Sequence, residues 1–89
     1  MNKEWITFHL EEALEQLQET ISNLKSDKDY SYGDYVVEIS HLYHHINTAW
    51  NSREASPNEV ANHTDADYDK WQRMPEFEDL LIGTLTEDA

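Results

Sequence analysis

ITFHLEEALEQLQETISNL, residues 6–24, is the stretch that decides the fold. Ile6, Leu10, Leu14, Leu17, Ile21 and Leu24 follow one another at steps of four and three. On a helix of 3.6 residues per turn, that spacing draws a single apolar stripe. Neither glycine nor proline interrupts the run, so one long helix is predicted over residues 3–25. Ala13 widens the stripe, and Glu11, Glu15 and Glu19 lie roughly opposite it at about 100° per residue. Trp5 and Phe8 fall off the stripe among these charges. They are expected to cover a second surface, made by the C-terminal segment or by another subunit.

Outward from this helix, SDKDYSYGD (26–34) is polar, holds one of the two glycines, and reads as a loop. Ser31 followed by Asp34 has the form of an N-cap with an acid at the third helical position, where the helix dipole favours negative charge. A second helix is predicted from about there to Ser52. Tyr32, Tyr35, Val36, Ile39, Leu42, Tyr43, Ile46 and Trp50 give it an aromatic-rich face. The short loop makes the two helices antiparallel neighbours.

In ASPNEV (55–60), Ser56 caps, Pro57 sits at the first helical position where its missing N–H costs nothing, and Glu59 closes a capping box. Thr64 with Asp67 repeats the signal. Two short helical pieces are therefore predicted, over residues 57–62 and 65–73, with Pro75 ending the second. Phe77, Leu80 and Leu81 suit a last docked turn, and 83–89 a flexible tail. Strand-like alternation is missing throughout. The predicted fold is all-α: an antiparallel helical hairpin of two long helices packed by one or two short C-terminal helices, forming one domain over residues 1–82.

The 89 residues suit a single modest core. No cysteine is present, which excludes disulfides, thiolate catalysis and cysteine-ligated metals. The N-terminal residues are acidic within a few positions and lack a continuous apolar run, which predicts a soluble, cytoplasmic protein without signal peptide or membrane span. A net charge of −13 repels phosphate backbones, so direct nucleic-acid binding is not expected. The scattered lysines and arginines do not make a membrane-binding helix. Phosphate loops and nucleophile elbows are missing, and the reading leans away from catalysis. DADYDKWQRMPE (65–76) has acids at EF-hand positions but Lys70 where the loop needs glycine, so calcium is not expected.

HLYHHINTAWNSR (41–53) carries the candidate chemistry, with three histidines in five positions. Asp34, Glu38, His41 and His45 lie within about 60° of one another along one edge of the second helix. Glu38 with His41 is the Glu-x-x-His element of carboxylate-bridged metal bundles, and His41 with His45 has the i, i+4 spacing of two ligands from one helix. His9 and Glu12, near the start of the first helix, lie beside His45 and His44 in an antiparallel hairpin. A site of His9, Glu12, Glu38, His41 and His45 for zinc, nickel, manganese or iron is the alternative to an ordinary solvated face that needs no cofactor. Asn47 and Asn51 flank Trp50, either as a recognition surface or as asparagines facing water beside a core tryptophan. His44 is expected to be exposed, and His63 to cap a nearby carbonyl.

The leading functional reading is a small acidic cytosolic helical protein that acts as a non-catalytic protein–protein interaction module, as a homodimer. Trp5, Phe8, Tyr43, His44, Trp50 and Asn51 are its candidate interface residues. The alternatives are the metal-binding bundle and a polyanion mimic that presents Glu11, Glu15, Glu19 and the aspartates to a basic, nucleic-acid-binding protein.

Overall fold

The structure, a computed structural model, describes residues 1–76. The proposed docked turn at Phe77, Leu80 and Leu81 and the proposed tail at 83–89 lie outside the described residues. Within them the protein is an all-α hairpin of two long helices, α1 (Lys3–Ser26) and α2 (Tyr32–Asn51), followed by the short helices α3 (Pro57–Ala61) and α4 (Asp65–Trp71). None of these helices is long and apolar enough to cross a membrane.

Local signals set the boundaries. Ser31 with Asp34, Ser56 with Glu59 and Thr64 with Asp67 all form reciprocal capping boxes, each satisfying two otherwise unpaired backbone N–H groups. Helix α2 begins at Tyr32, so Tyr32 and Gly33 belong to its first turn and the loop is shorter than its composition implies. The start of α1 carries a cap the composition did not announce. Asn2 accepts from the Trp5 N–H, while its side-chain amide donates to the Ala55 carbonyl at 2.9 Å and its backbone N–H donates to Arg53 at 2.6 Å. One residue thus caps α1 and fastens it to the α2–α3 connection.

The side chains that α1 buries are not those of its apolar stripe. Buried are His9, Ala13, Gln16 and Thr20, whereas Leu10, Leu14, Leu17, Ile21 and Leu24 stay 42% to 56% exposed. Both sets step by fours and threes, one residue out of phase, and the polar set faces α2. Its partners there are Glu38, His41 and His45, with Thr48 buried in the same row, and Trp5 meets Ser52 at the C-cap of α2. Pairing runs from Trp5 with Ser52 to Asn23 with Glu38, which makes the helices antiparallel. On α2 too, the apolar residues Ile39, Leu42 and Ile46 follow this inward row by one position. One position is about 100° of turn. Because the helices run in opposite directions, that common rotation brings both apolar rows to the same side of the hairpin.

The hydrophobic side chains fully buried among the described residues are therefore only Ala13, Ala49 and Ala55. Helix α4 docks on the C-terminal half of α2 through amides. Asn47 donates to the Gln72 carbonyl at 2.9 Å, and Asn51 donates to those of Trp71 and Arg73 at 2.8 and 2.6 Å. The asparagines do not face water; they satisfy carbonyls that the end of a helix leaves without partners.

Candidate functional site

Two surfaces result, one polar and enclosed between the helices, the other apolar and open.

The polar seam brings together His9, His41 and His45, as the antiparallel register requires. The His9 and His45 Nδ1 atoms lie 3.0 Å apart, the His45 and His41 Nε2 atoms 3.0 Å apart, and His41 Nδ1 lies 2.6 Å from Gln16 Oε1. Beyond Gln16, its amide nitrogen donates to the Thr20 hydroxyl at 3.0 Å and to Glu38 Oε1 at 3.4 Å; Thr20 and Asn23 also donate to that oxygen, at 3.3 and 3.0 Å. The carboxylate fixes the sense of the whole row. It accepts only, so Gln16 turns its NH₂ toward Glu38 and its oxygen toward His41. His41 must then carry its proton on Nδ1 and accept at Nε2. His45 donates from Nε2 and accepts at Nδ1, and His9 donates from Nδ1. What is left is the His9 Nε2 lone pair, buried without a hydrogen-bond partner.

The environment favours the neutral form of His9 and His45. Burial pushes the His9 imidazole down to about 4, with the adjacent His45 adding to the effect. His45 is also held below the ordinary histidine value, by burial and then by His41, against the opposing pull of Glu12. Trp5 meets the His9 ring edge to face at 4.3 Å between centroids and donates its indole N–H to the Ser52 hydroxyl at 2.7 Å; Ser52 in turn donates to the Thr48 carbonyl. At the loop end, burial pushes the Tyr30 phenol up to about 12, with the nearby Glu38 carboxylate contributing.

The five residues singled out as metal ligands do not converge. Glu38 is separated from the histidines by Gln16, and His45 meets His9 and His41 through opposite ring nitrogens. Among the described residues, no three His, Asp or Glu side chains are placed to hold one metal ion. Gln16, Thr20 and Asn23 were missed as members of the seam. Their signal was present in the sequence, since they continue the 4-3 steps of His9 and Ala13, but the neighbouring leucine stripe masks it.

The second surface is the uncovered apolar side of the hairpin. Leu10, Leu14, Leu17, Ile21 and Leu24 on α1 stand beside Tyr35, Val36, Tyr43 and Ile46 on α2, all more than a third exposed. An apolar face of this kind is uncommon on a solitary soluble domain. The other proposed interface residues are dispersed. Trp5 is half-buried and packs against Trp71 at 6.2 Å, as expected of contact with the C-terminal segment. Phe8 is half-exposed at an open depression of about 360 Å³ that it lines with Trp5, Pro57 and Val60. Trp50 is half-buried under the Arg53 guanidinium, 3.9 Å from its ring centroid. The amide of Asn51 is engaged within the chain. His44 is exposed, and His63 meets the Val60 carbonyl at 2.6 Å. Glu11, Glu15 and Glu19 are exposed on α1. Residues 65–71 form a helix rather than a calcium loop. Comparison with protein-family models, curated proteins and solved structures finds no match to this chain.

Proposed function

We propose that the chain is a small acidic cytosolic protein that acts without catalysis, by binding protein through the apolar side of its helical hairpin. The observation that carries this reading is the exposure of the α1 leucine stripe alongside that of the α2 face, where the fully buried hydrophobic side chains among the described residues are alanines. The acidity that discourages nucleic acid and anionic membrane leaves a protein surface as the natural partner. The test is sedimentation of the chain in extract of its source cells, at its own concentration. A species heavier than one chain, lost in the L14E/L17E variant, supports the reading; a single free chain in the extract opposes it.

A second reading is favoured by the 3.0 Å approach of the His41 and His45 Nε2 atoms, which point at one another from adjacent turns. A zinc or nickel ion taking both would use the His41 lone pair and displace the His45 proton, so its affinity would rise with pH. Thermal unfolding of metal-stripped protein with a modest excess of either ion tests it. A higher Tm that disappears in H41Q/H45Q supports the site, and an unchanged Tm removes it.

A further inference from the structure

Resting on the interaction reading above, we propose that the apolar face is covered by a second copy of this chain. Two hairpins stack apolar side to apolar side, giving a four-helix bundle with α1 of each copy over α2 of the other.

The first ground is what a lone hairpin lacks. Its helices meet through imidazoles, amides, hydroxyls and a carboxylate, and the hydrophobic side chains fully buried among the described residues are Ala13, Ala49 and Ala55. Folded chains are held against conformational entropy chiefly by burying larger apolar side chains than these. Among the described residues Leu10, Leu14, Leu17, Ile21, Leu24 and Ile46 are all exposed on the open side, so a partner that covers them supplies part of the fold and has to be at hand when the chain folds. A second copy always is, and two-fold homodimers are the commonest soluble assemblies.

The second ground is shape. Two antiparallel helices with both apolar rows on one side form a flat layer, and such a layer is self-complementary about a two-fold axis. The thirteen residues 77–89 are a poorer cover. As a helix they reach about 20 Å and are one helix wide, whereas the α1 row from Ile6 to Leu24 alone runs about 27 Å and the α2 row lies beside it.

The third ground is charge. The outer flank of the α1 row carries Glu11, and Glu15 lies behind it, while the α2 row is flanked by Val36, Ser40 and Tyr43. Placing α1 over α2 of the second copy keeps the glutamate-rich helices diagonal to one another, which lessens the repulsion between two chains of net charge −13.

The deciding experiment is analytical ultracentrifugation of the purified full chain over a hundredfold concentration range, with thermal unfolding at each concentration. We expect twice the chain mass and a Tm that climbs with concentration, as for a fold coupled to association. The L17E/I21E variant should lose the dimer, either as a folded monomer or with loss of helix. Because that variant can fail by unfolding, the concentration dependence of the unmodified chain decides. A monomer with a concentration-independent Tm overturns the proposal. If L80D/L81D then destabilises that monomer, residues 77–89 cover the face instead. A pure protein that is monomeric, yet heavier in source extract, overturns self-association but keeps the interaction reading; a free monomer in both overturns both.

Discussion

At the scale of single residues, the His9 imidazole couples this fold to pH. Its neutral form fits the seam, and burial lowers it from 6.5 to about 4. The folded value lies below the unfolded one, so protonation favours the unfolded chain. The stabilisation is complete above about pH 6.5 and is lost as pH falls toward 4, at most about 3 kcal/mol for this group. Nearby His45 shifts the same way. Denaturant midpoints measured at pH 7 and pH 5 should therefore fall on acidification, and the H9Q variant should show a much smaller fall; parallel pH curves for the two proteins would contradict this role. Glu38 makes a complementary case. It is half-buried and takes its hydrogen bonds from neutral donors, the closest being Asn23 at 3.0 Å. Asn23→Leu removes that donor and should cost about 1–2 kcal/mol in chemical denaturation. The cost should shrink when Glu38→Gln has already removed the charge, which a double-mutant cycle would measure.

At the scale of elements, the capping signals of α2, α3 and α4 were legible because they are local, whereas the Asn2 cap of α1 was not foreseen. Ser56, Pro57 and Glu59 lie within four residues and need no tertiary partner to begin α3. Ser56→Ala should cost about 1 kcal/mol, seen as faster amide exchange across α3 with little change in the middle of α1. Helix α4 is different, since seven residues do not hold a helix in water unaided. Its docking depends on Asn47 and Asn51. Asn51→Ala deletes two hydrogen bonds to the end of α4, and hydrogen exchange should show α4 opening at least tenfold more often while α1 is unaffected. The sequence did not disclose this, because an asparagine on the side of a helix reads the same whether it faces water or a neighbouring helix end.

At the scale of the whole molecule, an excess of thirteen negative charges pushes the compact state and any assembly apart. Raising sodium chloride from about 0.02 to 0.5 M shortens the screening length from roughly 20 to 4 Å. It should therefore raise the Tm and tighten association through the apolar face. A polyanion mimic bound to a basic partner would respond in the opposite sense, with salt weakening the complex, so the sign of the salt effect on the native complex separates the two.

Among the described residues, helix number, type and order and the caps of α2, α3 and α4 were determined by the sequence alone, because 3.6-residue periodicity and reciprocal capping are properties of short segments. The meeting of His9 with His45 was also within reach, since a short loop makes the hairpin antiparallel and brings the start of α1 to the end of α2. Which side of each helix meets the other was decided only in the tertiary structure. Helix α1 carries two rows with the same 4-3 step, Leu10, Leu14, Leu17 and Ile21 beside His9, Ala13, Gln16 and Thr20, and periodicity alone cannot say which row the hairpin uses. Hydrophobicity ranks the first row higher, yet hydrogen bonds that need partners at fixed positions across the seam pair the second. The leucines are thereby left on the open side of the hairpin.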